Sequence, residues 1–451
     1  MYHSLGGYGM SKDLRFILKF LAVIAVFIYG FITAQTKIFP YSLLAPTVSA
    51  YGGLYNAYFH VDDMNKDWRW YEDDGLPKGM DYLDKAQVEH DYIAYTSTAD
   101  TTAYLLSYKG EEIHKWHLDV EALWPDQKHL NTMRKVPFDY FTLRDLHVFP
   151  DGRIVVIVSL YGSTPWGAGL VMMDKDSNVL WAKDGNYYND LHVDQAGNIY
   201  ALRHDIIQTS DAGHFDEAVH FMPPYLQDNV VKLDQQGNIM AEYPVVDMLR
   251  QSPYKNIMMY VHDDGKGDYT HTNSIEVVED TMSVPSFLKS GDIMVNIRNI
   301  DVLAAIDPVQ NKVTWAARTP TKMPHDINVL PNGHFILYDN QGHLGAEEGY
   351  SRVIELDPET FEVVWSYAGT AAKPLESEFW GFQQRLANGN TLTTVPNKGR
   401  LLEVTQDGEL VMDYYLSQRH EIDGVMHHPV LTSAVKISEN ALNFIQPEGA
   451  P

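Results

Sequence analysis

Apolar and polar residues alternate along most of the chain with the two-residue period of half-buried strands, broken by short Gly, Asn and Asp turns. One module is an apolar strand, a Gly turn and a second strand. It recurs as LHVFPDGRIVV (146–156), LHVDQAGNIYAL (191–202), LKSGDIMV (288–295), VLPNGHFIL (329–337) and RLANGNTL (385–392). A second module joins two apolar strands through an acidic or polar turn and often closes on an aromatic. Its examples run from Leu105–Trp116 through Val171–Trp181, Val231–Tyr243, Ala305–Trp315 and Ile354–Trp365 to Leu402–Tyr414. Asn-Gly, Asp-Gly and Gly-Asn turns accept the positive φ of tight hairpins, so each module predicts one hairpin. Two hairpins make a four-stranded blade, and the six copies of the second module predict an all-β fold, a six-bladed β-propeller. The tail strand Val430–Ile437 is expected to return to the first blade.

One stretch breaks the pattern. Phe20–Ala34 (FLAVIAVFIYGFITA) carries no charge, and Phe16–Leu18 extends it past Lys19. This predicts an N-terminal transmembrane helix serving as an uncleaved signal anchor, with a cleaved signal peptide as the rival. Lys12, Arg15 and Lys19 precede it, which puts the N-terminus in the cytoplasm and the remainder on the extracytoplasmic (periplasmic) side. The expected domains are 1–40, cytoplasmic N-terminus and anchor; 41–90, a linker or cap rich in aromatics such as Trp68, Trp70 and Tyr71; and 91–451, the propeller with its closing tail.

Composition narrows the chemistry. The chain has 451 residues, with 60 acidic against 34 basic side chains and a formal net charge of −26, so no nucleic-acid partner is expected. Cysteine is absent, which excludes disulfide scaffolds, thiolate metal sites and cysteine nucleophiles. No Walker loop, nucleophile elbow or His-Glu-x-x-His motif occurs.

Histidines open consecutive repeats: His147 in RDLH (144–147), His192 in NDLH (189–192), His271 in HTNSIE (271–276) and His325 in HDIN (325–328). At one repeat position they would converge on one channel mouth, where Asn273 and Asn328 would join His147 and His192 in holding a substrate. Four imidazoles backed by Asp145, Asp190 and Asp326 would also suit a divalent metal ion such as Fe or Zn, with His147, His192, His271 and His325 as the alternative ligand set. Otherwise no cofactor is expected. Asp339-Asn340 and Arg298-Asn299 follow inner strands and are expected either to reach the same mouth or to serve as structural turns.

The segments HTNSIE (271–276), GDIMVNIRN (291–299), HDINVLPNG (325–333), SRVIELDPET (351–360) and QRLANGNTL (384–392) together resemble the bacterial arylsulfotransferase family. The resemblance implies an exported six-bladed propeller that moves a sulfuryl group from a phenolic sulfate donor to a phenol acceptor without a nucleotide donor. Carried over residue by residue, it implies catalytic His271, His325 and Arg352. Imidazole and guanidinium groups would stabilise the charge that develops on the leaving oxygen. In the family a last-blade histidine is the nucleophile, whereas Trp380–Leu416 contains no histidine here. The alternatives are a histidine-ring metal enzyme and a catalytically silent membrane-anchored propeller that binds a partner or a glycan.

Overall fold

The structure is a computed structural model, and it describes residues 12–36, 69–130, 132, 135–161, 164–208, 221, 224–260, 267–346 and 349–445. The chain divides into two units, Met1–His60 and Val61–Pro451. Residues 1–11 and 37–68, with Trp68 and most of the expected linker, lie outside the described residues.

The first unit contains a helix, Lys12–Thr36. The anchor expectation is corrected here: among the described residues no helix is long and apolar enough to cross a membrane. Lys12, Asp13, Arg15 and Lys19 sit within the helix and leave Phe20–Thr36 as its charge-free stretch. At 1.5 Å per residue that stretch covers about 25 Å, short of the roughly 30 Å of bilayer hydrocarbon. The membrane-anchored, extracytoplasmic placement rested on this segment and is withdrawn with it.

The second unit is built almost wholly from antiparallel hairpins. Five sheets have four strands each. The first pairs Leu431–Ile437 with Tyr92–Ser97, then Thr102–Leu106 and Glu112–His117. The second runs Phe141–Val148, Ile154–Leu160, Gly167–Met173 and Val179–Asp184. The third runs Asn186–Val193, Ile199–Ile207, Tyr225–Leu233 and Ile239–Pro244. The fourth runs Thr272–Val277, Ile293–Ile297, Val302–Asp307 and Lys312–Arg318. The fifth runs His325–Val329, Phe335–Asp339, Arg352–Leu356 and Val363–Tyr367. A sixth sheet, Gln383–Arg385 to Leu410–Tyr415, gains Gly79–Leu83 as a fifth strand. A three-stranded and a two-stranded sheet complete the set.

The propeller expectation is corrected by this pairing: the described strands form eight separate small antiparallel sheets, none closed into a barrel or propeller. The physical reason is that hairpin periodicity satisfies backbone hydrogen bonds within each sheet and dictates nothing between sheets. Neighbouring sheets instead meet through buried side chains. Tyr188, Val230 and Leu249 share a cluster with Val295 and Ile306, while Trp116, Phe141 and Val156 share another with Leu105.

Polar side chains also join the sheets, at a repeated position in their first strands. Leu191 N–H donates to Asp145 Oδ2 (2.9 Å), Ile275 N–H to Asp190 Oδ2 (2.6 Å), Ile327 N–H to Ser274 Oγ (2.9 Å) and Gln383 N–H to Asp326 Oδ2 (2.7 Å). Asp145, Asp190, Ser274 and Asp326 are therefore equivalent, each bonded to the next sheet one residue past its own counterpart.

Bringing these carboxyls together in a dry interior disfavours their ionised forms. Burial, then the neighbouring Asp145 and Asp326, push Asp190 well above the usual carboxylate range. Burial chiefly, with Asp145 and Glu276 adding repulsion, pushes Asp326 up to about 8. The native protein thus keeps a proton on Asp326 that the unfolded chain releases above pH 4, so this group's contribution to stability falls as pH rises from about 4 to about 8. Burial and His192 push His147 down to about 4, which gives the opposite slope between about pH 4 and 6.5. The carboxyl effect is therefore cleanest above pH 6.5. Asp326→Asn is expected to flatten the decline in urea-unfolding stability between pH 6.5 and 8; an unchanged slope would count against a protonated Asp326.

Candidate active site

The repeated position divides its neighbours between two ends of the first strands. One residue before it stand Arg144, Asn189, Asn273 and His325; two residues after it stand His147, His192, Glu276 and Asn328. The strand pairing slips beside this position in sheets two to five, by two residues in sheet three and by one in the others. Such bulges re-aim side chains at the ends of sheets. Asn189, His271 and Asp326 take φ values of 56°, 50° and 53° there.

Arg144, Asn189 and His325 open into one cavity of about 290 Å³. They are joined by Thr142, Tyr161, Trp166, Tyr188, Asp268, His271, Arg298, Asn299, Phe379, Trp380 and Thr432, with Ser159 and Leu160 completing the wall. Aromatic walls with a few converging polar groups are the usual makeup of a small-molecule site.

Arg144 is buried, donates to the Thr432 carbonyl at 3.0 Å and lies over the Trp380 ring at 4.3 Å. Burial pushes its guanidinium down to about 10, so it remains charged at neutral pH. Arg298 enters from the turn after Ile293–Ile297 and donates to Asn299 Oδ1 at 3.1 Å.

His325 is buried, and its Nδ1 lies 2.7 Å from Asn340 Oδ1. An amide oxygen only accepts, so Nδ1 carries the proton, and Nε2 accepts from Trp380 N–H at 3.2 Å. Burial first, then Arg298, depress its pKa well below the ordinary value, which keeps the ring neutral.

His271 is arranged differently. Its Nδ1 bonds to Asp268 Oδ2, which fixes the proton on that nitrogen and leaves an Nε2 lone pair inside the cavity. Nε2 is 3.1 Å from the Asn189 amide nitrogen, and the edge of the ring meets Trp166 at 5.3 Å. A carboxylate holding an imidazole in one tautomer, with the other nitrogen presented to a pocket, is the arrangement of a histidine base or nucleophile. Beside it, His204, Asp228 and Asp268 form a buried cluster with the makeup of a catalytic or metal-binding site.

Of the residues expected from the sequence, the structure brings His271 and His325 together in the cavity. Arg352 lies in the third strand of the fifth sheet, outside the cavity lining, with Nε bonded to buried Asp339 at 2.9 Å. His147 and His192 sit at the other strand end, where His192 Nδ1 is 3.2 Å from Glu276 Oε2. Asn273 is buried against the Pro324 carbonyl, and Asn328 donates to Asp326 Oδ1. The four histidines thus do not share one mouth. Sequence reasoning missed Asp268, Asn189 and the aromatic walls. Arg144 stood inside the RDLH motif, where its position beside the repeated carboxylate was the available signal.

The fold and site define a hairpin-built β protein whose polar cavity lies at the ends of its first strands. The profile of the Arylsulfotransferase (ASST) family matches residues 145–417, and the chain belongs to that family. No curated protein matches it. Among solved structures, a protein of unknown function from Bacteroides caccae is 11% identical, with a TM-score of 0.48, covering 78% of this chain and 100% of its own. A streptogramin B lyase is 12% identical, with a TM-score of 0.40, covering 80% and 96%. Virginiamycin B lyase from Staphylococcus aureus is 11% identical, with a TM-score of 0.35, covering 62% and 72%. Likenesses this distant carry no argument about fold or activity. The expected membrane partner is corrected as well: among the described residues no helix is long and apolar enough to span a bilayer.

Proposed function

We propose that the chain is a group-transfer enzyme that takes the sulfuryl group of a small sulfate monoester in the Arg144–Arg298 cavity and carries it on His271. The observation that supports this most is the Asp268–His271 pair in the cavity that also holds both guanidinium groups. His271 Nε2 attacks sulfur, the S–O ester bond breaks with its electrons leaving on oxygen, and an N–S bond forms. An acceptor hydroxyl oxygen then attacks sulfur, the N–S bond breaks with its electron pair returning to Nε2, and the hydroxyl proton passes through solvent to the leaving oxygen, which departs as an alcohol. Arg144 and Arg298 hold the sulfuryl oxygens, where a planar fork of donors suits an oxyanion. His325 positions the site: a backbone N–H, that of Trp380, holds its Nε2 and its neutral ring adds no competing charge, whereas His271 Nε2 accepts from the Asn189 side-chain amide, a partner that can swing aside for a substrate. Of the two cavity histidines this leaves His271 as carrier, supplying what the histidine-free last sheet cannot.

The test is transfer from a panel of sulfate monoesters to hydroxyl acceptors, followed as release of the leaving alcohol. Activity in the native protein that is lost in His271→Gln supports the reading; activity that persists in the folded variant refutes it. Arg298→Gln is expected to weaken binding of inorganic sulfate, measured by calorimetry, by about 10- to 100-fold, the value of one charge-assisted hydrogen bond.

A further inference from the structure

Next to the His271 wall, three buried groups from three segments converge. His204 comes from Ile199–Ile207, Asp228 from Tyr225–Leu233 and Asp268 from the stretch before Thr272. One ligand-type atom from each lies within 4.8 Å of the others. His204 is fully buried and its Nε2 makes no hydrogen bond, and Asp268 Oδ1 is likewise buried without one. Leaving such groups unpaired costs about 1–3 kcal/mol each. The imidazole is held in place by stacking on Tyr188, with centroids 3.5 Å apart and planes 14° apart.

Asp228 Oδ2 accepts from Thr270 Oγ1 (2.7 Å), Thr272 N–H (2.8 Å) and Thr272 Oγ1 (2.7 Å), and Asp268 Oδ2 holds His271. Asp228 Oδ1 accepts from Tyr188 O–H (3.1 Å) and lies 3.1 Å from His204 Nδ1, while Asp268 Oδ1 is left without a partner. Ligands bonded at about 2.1 Å stand about 3 Å apart when adjacent and about 4.2 Å apart when opposite, so the cluster needs little closure to surround an ion. One imidazole and two carboxylates suit a borderline divalent cation rather than a soft or purely oxygen-seeking one.

We propose that His204, Asp228 and Asp268 bind one divalent transition-metal ion of the zinc or manganese type. Asp268 and Tyr188 also line the cavity, so an ion held by Asp268 would stand beside it. There its charge adds to the two guanidinium groups in attracting an anion. This role rests on the sulfuryl-transfer reading; the binding itself does not.

The test uses the full chain, stripped with a chelator and titrated with Co²⁺, Mn²⁺ or Zn²⁺ alone. One equivalent of Co²⁺ with a visible ligand-field band is expected. His204→Gln and Asp268→Asn should weaken binding by more than about 100-fold, beyond what loss of an outer-sphere partner costs. His334→Gln, at a partly exposed histidine paired with Glu355, should leave it unchanged. Should the cluster variants fail to fold, Mn²⁺ in the native chain must still show one imidazole nitrogen by pulsed EPR. No saturable binding by the folded native chain, or unaltered binding by folded His204→Gln, overturns the proposal. Cation binding without sulfuryl transfer would count against the His271 reading alone, and transfer without cation binding against the metal site alone.

Discussion

His271→Gln is expected to lower sulfuryl transfer by on the order of 10³-fold or more while leaving the fold intact. Glutamine keeps a polar group of similar reach but has no ring nitrogen with a lone pair to attack sulfur. Asp268→Asn should also fall steeply for a different reason. Its amide can present a donor to His271 Nδ1, which favours the tautomer whose proton sits on Nε2 and blocks the attacking lone pair. The kinetic signature separates these from binding variants. Both should lower kcat, whereas Arg298→Gln should chiefly raise KM. Equal effects on KM and kcat from all three would mean that His271 only shapes the cavity.

The largest expected effect on stability lies outside the cavity lining. Lys436, in the strand Leu431–Ile437, pairs with Glu403, in the strand Arg400–Val404, and both side chains are completely buried. Lys436 also donates to the Glu89 carbonyl, while Glu403 accepts from Glu89 N–H (2.9 Å) and the Asn390 amide (2.6 Å). One ion pair thus ties the C-terminal strand, the segment before Tyr92 and the sixth sheet. Lys436→Met would leave a buried carboxylate without its cation, a change that costs roughly 3–5 kcal/mol. Adding Glu403→Gln should recover much of the loss, because the neutral amide needs no counter-charge. Urea unfolding of the single and double variants measures both; a single variant within 1 kcal/mol of native, in round terms, would show that water reaches the pair.

The hairpins were legible because local chemistry sets them. Asp151-Gly152 and Asn332-Gly333 turn where the residue order says, with φ of 85° and 86° at the glycines. How the sheets stand to one another was not legible, since it depends on side chains such as Asp145 and Ser274 reaching the next sheet's backbone. The same gap affected the histidines. Counted from the start of each repeat, His147, His192, His271 and His325 look equivalent. Counted from the residue that bonds the next sheet, His147 and His192 lie two after, His325 one before and His271 three before. The bulges beside that position break the residue count, so strand alternation alone does not tell which end a side chain faces. Asp268, Trp166 and Trp380 come from connecting segments and join the site only through tertiary packing. The N-terminal helix shows the opposite error: an apolar run was readable, but Lys19 cuts its charge-free length below what a bilayer needs.

The most direct measurement is mass analysis of the protein after mixing with a sulfate monoester and quenching before an acceptor is added. The account predicts one sulfuryl increment on the peptide that carries His271, absent in His271→Gln and removed when a hydroxyl acceptor is supplied. A transferring enzyme whose increment sits on another residue, or that never carries one, would contradict it.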